Sequence, residues 1–314
     1  MSPILECFKH LNIPTNMPLA VAVSGGIDSL AVALGLLQFG YNPVGLIVNH
    51  GLRSISTEHA IKTKNILQNM NIESFILEWK HGPIGKNIEE QARKNRYELL
   101  TKKCNELAIK YLFLGHHAND QIETFLLNLS RGSGIDGLCG MPTERKLNGI
   151  NLIRPFLGVE KKDLQLFLEQ NSVQWLEDET NANDKFMRNK LRKIMQNLLP
   201  DLYKKRILLA VNNLQQTKEI LDRHYDNLLK RIVVWSENMA VFLHKEYILL
   251  LTSERTWLLN AILMRLTNSN KKFRLSQIKN VDNNIFKMVK KSTLAGCEFT
   301  VSDSVVVKLI KKNG

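Results

Sequence analysis

A chain of 314 residues, 44% hydrophobic and 23% charged, has the profile of a globular protein long enough to bury its cores without disulfide staples. Its four cysteines, Cys7, Cys104, Cys139 and Cys297, contain no C-x-x-C pair, which argues against a zinc knuckle or dithiol redox site and suits buried thiols in a reducing cytosol. The formal net charge of +13 is unevenly spread: residues 1–187 carry 19 Lys and Arg against 20 Asp and Glu, and residues 188–314 carry 24 against 10. A Lys-rich solvated face is the bland explanation for the rear part, but confinement of the whole excess to it favours a polyanion such as nucleic acid as partner.

The start of the chain has no basic segment followed by an apolar run, so no signal peptide is expected and the cytoplasm is the expected location. A strand at 19–24 (LAVAVS) runs into glycines, and helix (27–39), strand (44–48), helix (56–70), strand (74–79), charged helix (87–107), strand (111–114) and helix (120–129) follow. The uncharged stretch 29–52 is broken by Gly35, Gly40, Asn42, Pro43, Gly45 and Asn49, so a membrane span is not expected there. Strands that are apolar on both faces and alternate with helices predict an α/β fold with a doubly wound parallel sheet. Ligands of such sheets sit at the carboxyl ends of the strands, where Ser24-Gly25-Gly26 and Gly115-His116-His117 fall.

Near 180–184 the pattern breaks, a basic helix is expected at 188–199, and Pro200 ends it. A helix over 202–233 places Ile207, Val211, Leu214, Leu221, Tyr225, Leu228 and Ile232 on one face, which permits packing on the rest of the chain or a homodimer. A hairpin is expected at 240–243 and 247–251, a helix at 257–266 and a last strand at 305–310. Two domains are expected, a catalytic one at 1–190 and a smaller, basic, mainly helical one at 191–314.

The segment Ser24-Gly25-Gly26-Ile27-Asp28-Ser29 carries the strongest chemical signal. Glycines let backbone approach a ligand, and the helix start offers free N–H groups and a positive dipole end to phosphate. Ser24 and Ser29 add hydroxyl donors. Asp28 would repel phosphates unless a cation bridges them, which points to Mg²⁺ held through phosphate oxygens. A capped glycine turn is the alternative for a bare S-G-G. His116-His117 point opposite ways at a strand end and lack a third ligand, so His116 lining a nucleotide site is preferred to zinc. Asp120, Glu123 and Thr124 share a helix face, as substrate contacts or as exposed acids of a capped helix. Arg93 and Arg96 lie near Glu89 and Glu90, so helical ion pairing is their default; Arg188 and Arg192 meet phosphate or form a solvated basic face.

The loop at 24–29 resembles that of the ATP pyrophosphatase (PP-loop) superfamily, with its adenine nucleotide α-hydrolase-like fold. Within it the chain is similar to the bacterial tRNA(Ile)-lysidine synthases. Residues 48–53 (VNHGLR), 92–97 (ARKNRY), 114–124 (LGHHANDQIET), 131–134 (RGSG), 154–155 (RP), 178–181 (DETN) and 188–192 (RNKLR) carry the likeness. Asn49 and Asn119 depart from it, standing where members often carry Asp.

The resemblance implies a ligase that uses ATP to adenylate C2 of the wobble cytidine in tRNA(Ile) with a CAU anticodon, then couples the ε-amine of free L-lysine. It implies catalytic roles for Asp28, Arg96, Asp120 and Arg188. It implies nucleotide contacts from Ser24, Gly25, Gly26, Ile27, Asp28, Ser29 and His116, and substrate contacts from Asp120, Glu123 and Arg131. A tRNA thiolase would need a site cysteine, and none of the four lies in these motifs. An amidotransferase-coupled ligase does not fit this length. An RNA-binding module with ATP as a mere ligand would leave Asp28, Arg96 and Asp120 dispensable.

Overall fold

In the computed structural model, which describes residues 3–9, 11, 13–52, 55–82, 88–177, 200–269 and 272–310, the apolar run after Pro18 becomes β1 (Leu19–Ala22). Its side chains alternate as a pleated strand requires: Leu19 and Val21 enter one buried cluster and Ala20 another. β1 pairs in parallel with β2 (Pro43–Asn49) and β4 (Tyr111–Phe113), Leu19 lying opposite Pro43 and Tyr111. β3 (Ser74–Glu78) joins β2 and β6 (Ile150–Ile153) joins β4, also in parallel. β5 (Glu144–Leu147) is an antiparallel edge on β6, and the sheet order is β3-β2-β1-β4-β6-β5.

Helices cover both faces. The cluster around Leu19 and Val21 takes in α1 (Pro3–Glu6), α2 (Ile27–Gln38), α3 (Ser56–Asn69) and α7 (Lys161–Gln170) through Ile4, Leu30, Leu67 and Leu164. The other face is covered by α4 (Ile88–Glu106), whose Leu100 and Cys104 are fully buried. α5 (Ala118–Ser130) and the short α6 (Ile135–Leu138) follow β4. Winding reverses between β1 and β4, the place where doubly wound sheets open a crevice for a ligand.

Sequence patterning alone predicts no strand at 144–153. The hairpin turns through Asn148 and Gly149, both at positive φ (49° and 83°), whose twist suits a two-residue antiparallel turn. That Asn-Gly pair is the readable signal for it.

The chain forms two compact units, Met1–Gln215 and Gln216–Gly314, which divide inside the long helix α8 (Asp201–Ile232) rather than at 190/191. The first turns of α8 stay with the first unit because Gln215 Nε2 donates to the carbonyls of Cys139 (2.9 Å) and Met141 (3.1 Å). The expected apolar stripe is used within each unit: Val211 is buried in the first, Leu228 and Ile232 in the second. Ile207, Leu214, Leu221 and Tyr225 of the stripe are half-buried.

The second unit adds α9 (His244–Tyr247), α10 (Thr252–Leu266) and α11 (Leu275–Phe286) to an antiparallel sheet of order β7-β8-β11-β10-β9. Its strands are β7 (Val234–Ser236), β8 (Met239–Leu243), β9 (Lys291–Leu294), β10 (Cys297–Val301) and β11 (Ser304–Leu309). The hairpin expected at 240–251 is corrected. β8 pairs with β7 and β11, and Tyr247 lies on a helical turn because its hydroxyl is drawn to the buried Asp282 (2.6 Å). Among the described residues no helix is long and apolar enough to cross a membrane.

Candidate active site

The chain leaves β1 through Val23, whose N–H still donates to Leu46 O (2.9 Å), and turns at Gly25 with φ +84°. A Cβ at Gly25 would collide with Thr63 Oγ1 of α3 and with Leu176, so this turn tolerates only glycine. Gly26 is the N-cap of α2 and has no side-chain cap, which leaves the first N–H groups of α2 to a ligand. Ser29 Oγ accepts from Ser24 N (3.1 Å) and donates to Gly26 O (3.0 Å), with Ser24 Oγ 3.3 Å away, so the loop is braced by its own hydroxyls. Gly115, at the end of β4, approaches so closely that a Cβ there would lie 2.7 Å from Asp28 C and 2.8 Å from Ser29 N.

Between these strand ends lies a cavity of about 510 Å³. Ser24, Gly26, Asp28, Ser29, Arg96 and His116 line it, so most of the residues expected at a nucleotide meet here. Gly25 and Ile27 belong to the loop itself. Asn49, His50, Ser56, His59, Thr63 and Glu177 add to the polar wall, and no cysteine is among the lining residues. Burial, opposed by Asp120 and reinforced by Arg154, Arg96 and Arg93, brings the His116 pKa down to about 4, so its ring is neutral near pH 7. Burial followed by Arg96 and His81 also lowers His50.

Guanidinium groups concentrate on this side. Arg93 and Arg96 stand 5.4 and 5.3 Å from the Tyr97 ring centroid. Arg154, only 3% exposed, follows β6, and its Nη1 donates to Pro142 O (2.8 Å). Burial raises the Tyr97 pKa, yet the charges of Arg96, Arg93 and Arg154 outweigh it and the net shift is downward. Among the described residues none of the three arginines is paired with a carboxylate, and buried Nε atoms of Arg96 and Arg154 have no acceptor. Helical ion pairing of Arg93 and Arg96, expected with Glu89 and Glu90, is therefore absent with Glu90, and the side chain of Glu89 lies outside the described residues. Arg154 and Tyr97 had only motif membership in the sequence; neither lines the cavity, but β6 lying beside β4 brings Arg154 within electrostatic reach of His116 and Tyr97.

α5 begins at His117, its N-cap, with a reciprocal cap: Asn119 N donates to His117 Nδ1 (3.2 Å) and His117 N donates to Asp120 Oδ2 (3.0 Å). His117 Nε2 lies 3.6 Å from Asp28 Oδ1 and 3.8 Å from Asp120 Oδ2. Glu123 is buried on the inner face of α5, and Arg131 is exposed at its far end, about 16 Å from Asp120 along the axis. Asp120, Glu123 and Arg131 do not line the cavity itself. Arg188, Arg192 and the 178–181 segment lie outside the described residues. Sequence reasoning chose His116 and passed over His117; adjacency in a G-H-H run gave no means of ranking them.

A helix N-terminus after a glycine turn, at the switch point of a doubly wound sheet, defines a PP-loop nucleotide site, and the PP-loop domain family matches residues 4–199. A tRNA(Ile)-lysidine synthase of Orientia tsutsugamushi (strain Boryong) is 32% identical over 311 residues, 93% of this chain and 70% of its own length. One from Wolbachia sp. subsp. Brugia malayi (strain TRS) is 37% identical over 220 residues, 68% of this chain and 51% of its own. The chain belongs to the tRNA(Ile)-lysidine synthase family of PP-loop proteins. Among solved structures, the U34-tRNA thiolase NcsA from Methanococcus maripaludis superposes with a TM-score of 0.56 at 19% identity, covering 68% of this chain and 77% of that one, a likeness of fold alone.

Proposed function

We propose that this chain is the cytoplasmic enzyme that converts the wobble cytidine of tRNA(Ile) with a CAU anticodon to lysidine, using ATP and free L-lysine and releasing AMP and pyrophosphate. The observation that carries this reading is the cavity in which the uncapped start of α2, Asp28, Arg96 and His116 converge. The cytidine C2 oxygen attacks the α-phosphorus and pyrophosphate leaves; the lysine ε-amine then attacks C2 and AMP leaves.

The Ser24–Ser29 loop presents N–H and O–H donors to phosphate oxygens, and Arg96 meets the charge that develops on them. Arg188 is assigned the same duty by family likeness. One carboxylate at the loop, Asp28, suits Mg²⁺ shared with phosphate oxygens, and among the described residues no cluster of three or more His, Cys, Asp or Glu could cage a metal without them. When bound, Mg²⁺ would neutralise phosphate charge. A neutral His116 can line the nucleotide site without competing for that charge. Asp120 orients the lysine ammonium and takes up its proton, since a free ε-amine has a pKa near 10.4. Glu123 supports Asp120 from the same helix face. Arg131, too far along α5 to share a small molecule with Asp120, serves the tRNA backbone. The basic residues at 188–314 hold phosphates and make binding fall with salt.

The test is incubation with ATP, labelled lysine and tRNA(Ile) bearing CAU, with a swapped wobble base as control. Label in the tRNA with AMP and pyrophosphate release is expected. ADP as product, or pyrophosphate release without tRNA, would overturn the reading.

A further inference from the structure

The second histidine of the Gly115-His116-His117 run has no part in the mechanism above, yet it is buried to 6% exposure and lies nearer the two key carboxylates than any other imidazole the structure records. Its Nδ1 accepts from the Asn119 N–H. A backbone N–H only donates, so Nδ1 is unprotonated and the ring hydrogen sits on Nε2. That Nε2 faces Asp28 Oδ1 on the first turn of α2 (3.6 Å) and Asp120 Oδ2 on the first turn of α5 (3.8 Å). A helix N-cap requires only a short acceptor such as Asn, Ser or Asp. Capping does not use the extra length of the ring, which reaches across to α2.

We propose that His117 is a positioning residue whose single Nε2–H lies between Asp28 and Asp120, at 3.6 and 3.8 Å longer than a formed hydrogen bond to either, and closes on both carboxylates as substrates bind, setting the separation between the carboxylate of the nucleotide step and that of the amine step. This rests on the roles given to those two residues under Proposed function. The two elements are already locked together by the approach of Gly115 to Asp28 and Ser29, so the donor has a defined place to act.

Two substitutions separate capping from bridging. His117→Asn keeps an acceptor where Nδ1 stands and removes Nε2–H; His117→Gln places an amide N–H near Nε2 and loses the cap. The Asn variant is expected to melt within a few degrees of wild type. Its tRNA-dependent pyrophosphate release and its lysine transfer should each fall roughly 10- to 100-fold, with a weaker Kd for Mg–ATP by calorimetry. The Gln variant should recover several-fold over Asn despite a lower Tm.

Wild-type rates and Kd in the Asn variant would reduce His117 to a cap. Loss of lysine transfer alone would overturn the shared donor. If the Asn variant does not fold, Gln is compared with His117→Met: Gln above Met supports the bridge, and equality overturns it. Absence of lysidine in the wild type would defeat the functional reading instead, while the calorimetric comparison still tests the link to Asp28.

Discussion

In the second unit, Arg255 donates Nε to Asp282 Oδ1 at 2.8 Å and Nη2 to Asp282 Oδ2 at 3.3 Å, and Tyr247 adds its hydroxyl at 2.6 Å. Asp282 is 2% exposed, and the hydrogen bond it accepts is the first cause of the raised Arg255 pKa, its charge adding to this against the opposing effect of burial. In the first unit, Arg154 is just as buried but rests on a carbonyl, with Arg93 and Arg96 nearby and, among the described residues, no carboxylate on any of them. An unpaired buried cation costs several kcal/mol, so a fold keeps one only where something repays it. The Arg255–Asp282 pair is closed on itself and serves the fold. On the function proposed above, Arg96 on α4 and the buried Arg154 after β6 are open to an anion that arrives from outside.

That contrast can be broken by substitution. The largest effect is expected in the closed pair: Asp282→Ala should cost about 3–5 kcal/mol in urea unfolding, because it strands Arg255, while the Kd for Mg–ATP stays unchanged. In the open cluster the pattern should invert. Arg96→Met should cut turnover by roughly 100- to 1000-fold with Tm unchanged or higher, since removing an unpaired charge relieves the fold. A Tm loss as large as that of Asp282→Ala would show that Arg96 is structural.

The next effect is one of pH. The folded His116 pKa lies near 4, below its ordinary 6.5. Between those values the unfolded chain binds a proton that the folded chain does not, so this stability is complete above pH 6.5 and lost as pH falls toward 4. Roughly 3 kcal/mol is at stake, and His116→Gln should flatten the difference between urea midpoints at pH 7 and pH 5. Gly115→Ala should cost about 1–3 kcal/mol, because the new methyl meets the backbone of Asp28 and Ser29 rather than a yielding side chain, and should weaken Mg–ATP binding. Smallest is the exposed helical pair Lys218–Asp222 at 2.6 Å: Lys218→Ala should shift stability by a few tenths of a kcal/mol.

The sequence by itself determined the parts whose physics is local. Alternating apolar runs specify the parallel strands, and the glycine turn after β1 specifies an anion-binding helix start, since both are written in contiguous residues. The Asn148-Gly149 turn is likewise written in contiguous residues, although no strand is expected at 144–153, whereas nothing local marks Ala295 for its positive φ. Tertiary structure alone decided the rest. Arg154 comes within electrostatic reach of His116 only because β6 pairs with β4, and His117 lies near Asp28 only because α2 and α5 start side by side at the switch point. Asp282 finds Arg255 across 27 residues, and β8 finds β11 on the side away from its sequence neighbour β7. Such contacts depend on which buried surfaces fit together over long separations, and periodicity along the chain holds no record of that choice.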